Sequence, residues 1–298
     1  MSFEEGAGLD TSQVTGGGRG GALVGGGIGS LLLVLIGAFF GVDLSGVTGS
    51  GNPFDTGQVA PGGQQSGERF EECKTGADAN ENVTCRIIGT VNSVQDYWND
   101  ALPAELNRQY RAAQTVIYSG ATQSACGAAS NQTGPFYCPA DERIYIDATF
   151  FDLLTERFGA DGGNLAQMYV VAHEYGHHVE NILGILARGQ DGRTGPQSGG
   201  VRIELMADCF AGVWAHHAST TEDADGNTLL KPLTENDIRS ALSAAAAVGD
   251  DHIQQSSGGG VNPDSWTHGS SESRQRWFLT GYQSGRPAQC DTFSTNQL

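Results

Sequence analysis

The stretch Asn164 to Gly189, NLAQMYVVAHEYGHHVENILGILARG, decides the reading of this chain. Leu165, Met168, Val171, Ala172, Val179, Ile182, Leu183 and Leu186 recur at three- and four-residue spacing, the period of a helix with a buried face. Asn164 with Gln167 three residues on forms a capping-box start, and Gly189 is a natural stop. The pattern predicts one long amphipathic helix over 164–189. Within it, His173, Glu174 and His177 spell H-E-x-x-H. Residues i and i+4 share a helical face, so both imidazoles can reach one metal ion. Glu174 is turned about 100° from His173. That places it beside a metal without ligating it, where a water-activating base belongs. The plain alternative is two histidines on a polar face. The helix is otherwise apolar, and burying titratable groups in it is costly without a reason.

Outward from this helix, GQDGRTGPQSGG (189–200) reads as a loop and VRIELMADCFAGVWAHHA (201–218) as a second buried helix. A catalytic zinc takes three protein ligands and keeps one position open. Glu204 is the candidate third ligand. Asp208, at i+4 on the same face, is the candidate to accept a hydrogen bond from a ligating histidine and fix its ring. The alternative, a solvated acidic face, is opposed by Leu205, Met206, Phe210 and Val213 around them. His268 lies in SWTHGSSESRQRWF, after a Gly/Ser loop and before a helix capped by Ser270 or Ser271. A loop histidine there is a candidate donor to an oxyanion, its plain reading being an ordinary loop residue. His178, His216 and His217 are read as structural. The segment FYCPADERIYIDATFF (136–151) predicts a strand and turn, then a strand at Arg143–Asp147 whose edge could receive an extended peptide, then the start of a helix. Whether Tyr145 faces the site is left open.

The remainder of the chain is unusual in composition. It has 298 residues, 44 of them glycine, and a formal net charge of -18. Residues 1–67 hold 20 of the glycines, which leaves 68–298 near ordinary globular composition and long enough for one core. The acidity excludes a nucleic-acid binder, which needs a basic stripe. Residues 1–19 read as a disordered polar tail. Gly20 to Val42 run without a charge between Arg19 and Asp43, long enough for a transmembrane helix and without a convincing signal-peptide cleavage site. Arg19 favours the N-terminus inside the cell and the bulk of the chain outside. Gly21, Gly25 and Gly29, with Gly37 and Gly41, repeat at a spacing that could let two such helices pack as an oligomer. Residues 43–67 read as a flexible linker.

All six cysteines follow the apolar run. Cys73/Cys85 and Cys126/Cys138 are local pairs of identical spacing, neither of them the C-x-x-C of a structural zinc site. Six half-cystines allow fifteen connectivities. The favoured one is Cys73–Cys85, Cys126–Cys138 and Cys209–Cys290, in an oxidising compartment.

AHEYGHHV, ELMADCFAGVWA, AAAAVGDD and THGSSESRQRWF occur in this order and together resemble the bacterial neutral zinc metallopeptidases, in which one N-terminal membrane segment precedes a zincin-like domain. The resemblance spans the apolar run and nearly all of 68–298. It implies a zincin of the Glu-ligand type, with Zn2+ on His173, His177 and Glu204 and Glu174 as catalytic base. The expected fold class is therefore α+β: a mainly helical zincin-like domain (68–298) with a small sheet, preceded by one transmembrane helix (20–42). The expected function is a membrane-anchored zinc endopeptidase acting on extracytoplasmic proteins or peptides, with His268 assisting. The rival readings are a non-catalytic zinc-binding envelope protein and a zinc hydrolase of non-peptide bonds.

Overall fold

The computed structural model describes residues 2–17, 70–130, 133–223, 225–258 and 260–298. In chain order these form β1 (Val14–Gly17), α1 (Gly76–Glu81), α2 (Val83–Leu106), β2 (Gln114–Tyr118), a hairpin of β3 (Ala121–Ser124) and β4 (Gly127–Ser130), β5 (Phe136–Cys138) and β6 (Arg143–Asp147). Then come α3 (Phe150–Glu156), α4 (Asn164–Leu183), α5 (Gly199–His217), α6 (Glu235–Ala247), α7 (Asp250–Ser256) and α8 (Ser271–Ser284). The architecture is α+β, with helices dominating and a four-stranded sheet on one flank.

Helices α4 and α5 form the centre. Helix α4 is shorter than its hydrophobic period suggested. Gly184 takes the left-handed conformation (φ 73°) that ends a helix, and Leu186–Gly189 continues as a 3-10 turn. Gly163 rather than Asn164 occupies the N-cap, its N–H donating to Asp161 Oδ1 (2.7 Å). The two helices approach at Gly176, where a β-carbon would lie 2.8 Å from the Ala207 Cα. Behind α5, helix α8 packs just as tightly: a β-carbon on Gly281 would collide with the Cys209 carbonyl oxygen, and one on Gly212 with that of Phe278. A side chain at either position would force the helices apart.

The sheet runs β1-β2-β6-β5, with β1, β2 and β6 parallel and β5 antiparallel to β6. The strand Arg143–Asp147 forms where its sequence indicates. It pairs on both sides, so the edge beside α4 belongs to β5 instead. Tyr145 is buried, stacks on Phe136 (centroids 4.9 Å apart) and donates its hydroxyl to Asp141 Oδ2 (2.7 Å). It belongs to the apolar cluster with Val116 and Tyr118 and not to the cavity over the metal-ligand candidates.

Residues 2–17, expected as part of a disordered tail, pack onto the body. Phe3 is fully buried, its ring filling the space that a side chain at Gly89 of α2 would need. Asn80 receives the Phe3 N–H (2.8 Å) and donates to its carbonyl (3.1 Å); Asn92 does the same for Asp10 (2.9 Å each). The segment then ends as β1, the outer strand of the sheet. Two amide side chains thus supply backbone partners that no periodicity of residues 2–17 announces.

The expected fold class needs one correction. No helix among the described residues is long and apolar enough to cross a membrane, so a preceding transmembrane helix is not supported. The long helices α2 and α4 carry buried polar groups such as Arg86 and Glu180 and belong to the core. The stretch 20–42, with its glycine repeat, and the linker 43–67 lie outside the described residues.

The three disulfides Cys73–Cys85, Cys126–Cys138 and Cys209–Cys290 are all formed, and no described cysteine is free. The last joins α5 to the C-terminal turn across 81 residues of chain.

Candidate metal centre

One turn of α4 presents His173 and His177 side by side, and Glu204 faces them from α5. His173 Nε2 lies 3.2 Å from Glu204 Oε2, His177 Nε2 lies 3.6 Å from Glu204 Oε1, and one donor atom from each residue falls within 4.8 Å of the others. A tetrahedral zinc with bonds of about 2.1 Å separates its ligand atoms by roughly 3.4 Å, so the cluster has the right size. The close approach at Gly176, inside the motif itself, brings Glu204 within range.

The other ring nitrogens point outward to carboxylates. His173 Nδ1–H donates to Asp208 Oδ1 (2.8 Å) and His177 Nδ1–H to Glu180 Oε2 (2.8 Å). These bonds fix both rings with Nε2 turned toward Glu204, the arrangement expected of metal-ligating histidines. Asp208 is held in turn by Arg274, through Nε to Oδ2 (2.8 Å) and Nη2 to Oδ1 (3.0 Å), and by the Tyr169 hydroxyl. Asp208 therefore sits where its spacing on α5 suggested. Glu180, Arg274 and Tyr169 escaped the sequence reading. Glu180, three residues after His177, and Tyr169, four before His173, carry a helical-spacing signal. Arg274 pairs with a residue 66 positions away and carries none.

The electrostatics are those of a buried acidic site. Glu174, Glu180, Glu204 and Asp208 are all buried, with Arg274 as the one buried permanent cation beside them among the described residues. Burial raises the Glu174 pKa, against the pull of His173 and His177. Burial and then Glu204 raise that of Glu180. For Glu204 burial acts upward, but His177, His268 and His173 outweigh it and hold the carboxyl well below its ordinary range. Asp208 is likewise drawn down to about 2, against burial, chiefly by Arg274 and His173. Burial lowers both imidazoles. At His173 the carboxylates of Asp208 and Glu204 prevail and its pKa rises to about 10, while His177 stays below its ordinary value. A dication fits such an excess of buried negative charge, and the two-imidazole, one-carboxylate donor set suits zinc.

His268 lies on the rim of the same cavity. Asp250 holds its loop by accepting the N–H groups of Thr267, His268 and Gly269 at Oδ2 (2.8, 2.7 and 2.9 Å), and its Oδ1 lies 3.3 Å from His268 Nδ1. Burial acts to lower the His268 pKa, but Glu204 and Asp250 prevail and raise it. The remaining histidines pack elsewhere. His178 bridges the Tyr137 hydroxyl (3.0 Å) and the Arg111 carbonyl (2.6 Å). His216 and His217 bond to carbonyls at the end of α8, and His252 to that of Phe158.

The family described as "Putative neutral zinc metallopeptidase" matches residues 4–293. The chain belongs to that family. Its relatives include "Uncharacterized protein Rv2575" of Mycobacterium tuberculosis, 51% identical over 260 residues, 87% of this chain and 85% of the relative. "Uncharacterized protein YpfJ" of Escherichia coli is 41% identical over 273 residues, 90% of this chain and 86% of the relative. No solved structure matches the chain significantly. The family match begins at residue 4, so it takes in the packed N-terminal segment as well as both ligand-bearing helices.

Proposed function

We propose that the chain is a zinc-dependent endopeptidase that hydrolyses peptide bonds in proteins or peptides outside the cytoplasm. The observation that carries this reading is Glu174. It stands buried beside the three candidate ligands, while Nδ1 of each histidine is already occupied by another carboxylate. A site that merely held zinc for stability would not need it. His173, His177 and Glu204 would hold the ion, which would lower the pKa of a bound water to about 7 and polarise the scissile carbonyl. Glu174, with its pKa raised by burial, accepts the proton of the attacking water and returns it to the leaving amine. His268, whose pKa Glu204 and Asp250 raise against burial, is placed to donate to the oxygen on which negative charge develops. Asp208 and Glu180 hold the histidine rings in place. Strand β5 lines the cavity and ends the sheet among the described residues, which is where an extended peptide would add as a further strand.

Three disulfides support an oxidising compartment. The packing of residues 2–17 onto the body supports a single compartment for both.

The test is zinc analysis of the purified protein together with hydrolysis of an unfolded protein substrate. One zinc per chain and cleavage abolished by a chelator are expected. Zinc bound without cleavage of any substrate would favour the non-catalytic rival. Hydrolysis of esters or amides but not of peptides would favour the other. Absence of zinc would overturn the ligand set.

A further inference from the structure

We infer that this peptidase selects substrates by one bulky apolar side chain next to the scissile bond; the inference rests on the peptidase reading above. The cavity over Glu174 has a volume of about 170 Å3 and two unlike walls. One carries the candidate ligands, Glu174 and His268. The other is formed by Phe136, Phe150, Phe158, Val170, Val248 and Ile253. The apolar wall starts close to the chemistry. Val170 precedes His173 by three residues and Glu174 by four, one helical turn on the same face. Its far side comes from four separate parts of the chain, β5, α3 with the turn after it, the end of α6, and α7. Phe136, Phe150 and Phe158 are themselves nearly fully buried, so the wall is already packed. Stacking on Tyr145 fixes Phe136, and the Cys126–Cys138 disulfide ties β5 to the neighbouring hairpin.

Size and polarity together limit the occupant. The whole cavity, catalytic face included, is little larger than the about 150 Å3 of apolar cavity that holds one benzene, so its apolar part accepts no more than a single phenyl or branched aliphatic side chain. The charged groups lining it are the acids, histidines and Arg274 of the site itself; Asp250, between Val248 and Ile253, has its carboxylate taken up by the N–H groups of residues 267–269 and by His268. A Lys, Asp or Glu side chain there would lose its hydration without a partner. Burying a Phe or Leu side chain favours it over Ala by roughly 10- to 100-fold.

Two measurements test this. Cleavage-site profiling with the zinc-loaded full chain should show one position beside the scissile bond dominated by Phe, Leu, Met and Tyr, with acidic residues and Lys excluded. Ile253→Trp, at a half-buried position on the cavity wall, should shift that preference toward Ala and Gly. Cleavage without an apolar preference, or a preference unmoved by Ile253→Trp, would overturn the inference and leave the peptidase reading intact. The second measurement needs no catalysis. Toluene added to the metal-free protein should raise the Tm of the wild type and not of Ile253→Trp. No shift in the wild type would overturn the inference even if no substrate were ever cleaved. A cavity that binds toluene in a protein that cleaves acyl esters and no peptide would keep the apolar pocket but place an acyl chain in it, and so would also overturn the side-chain assignment.

Discussion

Glu180 and Asp208 perform the same task for different histidines, and the difference between them is chemical. Asp208 is anchored by the Arg274 guanidinium and the Tyr169 hydroxyl, whereas Glu180 accepts from His177 at one oxygen, and its other oxygen is buried without a partner among the described residues. Replacing either carboxylate by its amide leaves the histidine in place but weakens the hold on its ring. Glu180→Gln and Asp208→Asn are each expected to reduce zinc affinity by about 10- to 100-fold, as measured by competition with a chelator. Asp208→Asn should cost more fold stability, because it strands a buried Arg274. Unchanged zinc affinity in both variants would mean that these carboxylates serve packing alone. The ligand candidates and Asp208 were legible because helical spacing displays them on two short segments. Arg274 was not, since only the folded chain brings α8 to α5.

Among the elements, the crossing of α4 and α5 does most to assemble the site, and a glycine inside the metal-binding motif permits it. Gly176→Ala would set a methyl group 2.8 Å from the Ala207 Cα, backbone that cannot turn aside. The expected cost is about 1–3 kcal/mol of stability, with weaker zinc binding because Glu204 retreats from both histidines. Thermal unfolding and metal titration of this variant check both. A Tm and zinc affinity equal to the wild type would contradict the close approach. Both helices could be read from periodicity, as could the Ser270 cap of α8, but the C-terminal end of α4 could not. Gly184 ends α4 one turn and more before Gly189 because a left-handed cap needs only local geometry. Strand Arg143–Asp147 could be located but not ranked, since its place inside the sheet depends on β5 and on β2, 25 or more residues away in the chain.

At the scale of the whole molecule, the acidity and the N-terminal segment meet. Asp96 on α2 has its pKa raised to about 6 by burial and by Asp223, Asp100 and Asp10, the last from residues 2–17. Its ordinary value is 3.8, so the fold carries no penalty from it well below that pH; the penalty builds as pH rises from 3.8 toward about 6 and is fully present above. Asp96→Asn should therefore raise the Tm at pH 7.5, by roughly 1 kcal/mol of stability after solvent screening is allowed for, and make no difference near pH 4. Equal unfolding curves at both values would sink this. If residues 2–17 share a compartment with the body, Ser12→Cys and Glu272→Cys should react equally with a membrane-impermeant thiol reagent on intact cells; protection of one alone would contradict it. The packed segment was illegible because no hydrophobic period holds it: Asn80 and Asn92 bond the backbone of Phe3 and Asp10, and main-chain groups distant in sequence, such as those of Leu229 and Lys74, and strand β2 bond the rest. The central claim, that this fold uses buried Glu174 to hydrolyse peptide bonds, is tested most directly by proteome-wide mapping of new N-termini produced by wild type and Glu174→Gln. Both proteins should bind one zinc, and only the wild type should generate cleavages, with at least 100-fold less product from the variant. Equal cleavage by both, or none by a zinc-loaded wild type, would contradict the account.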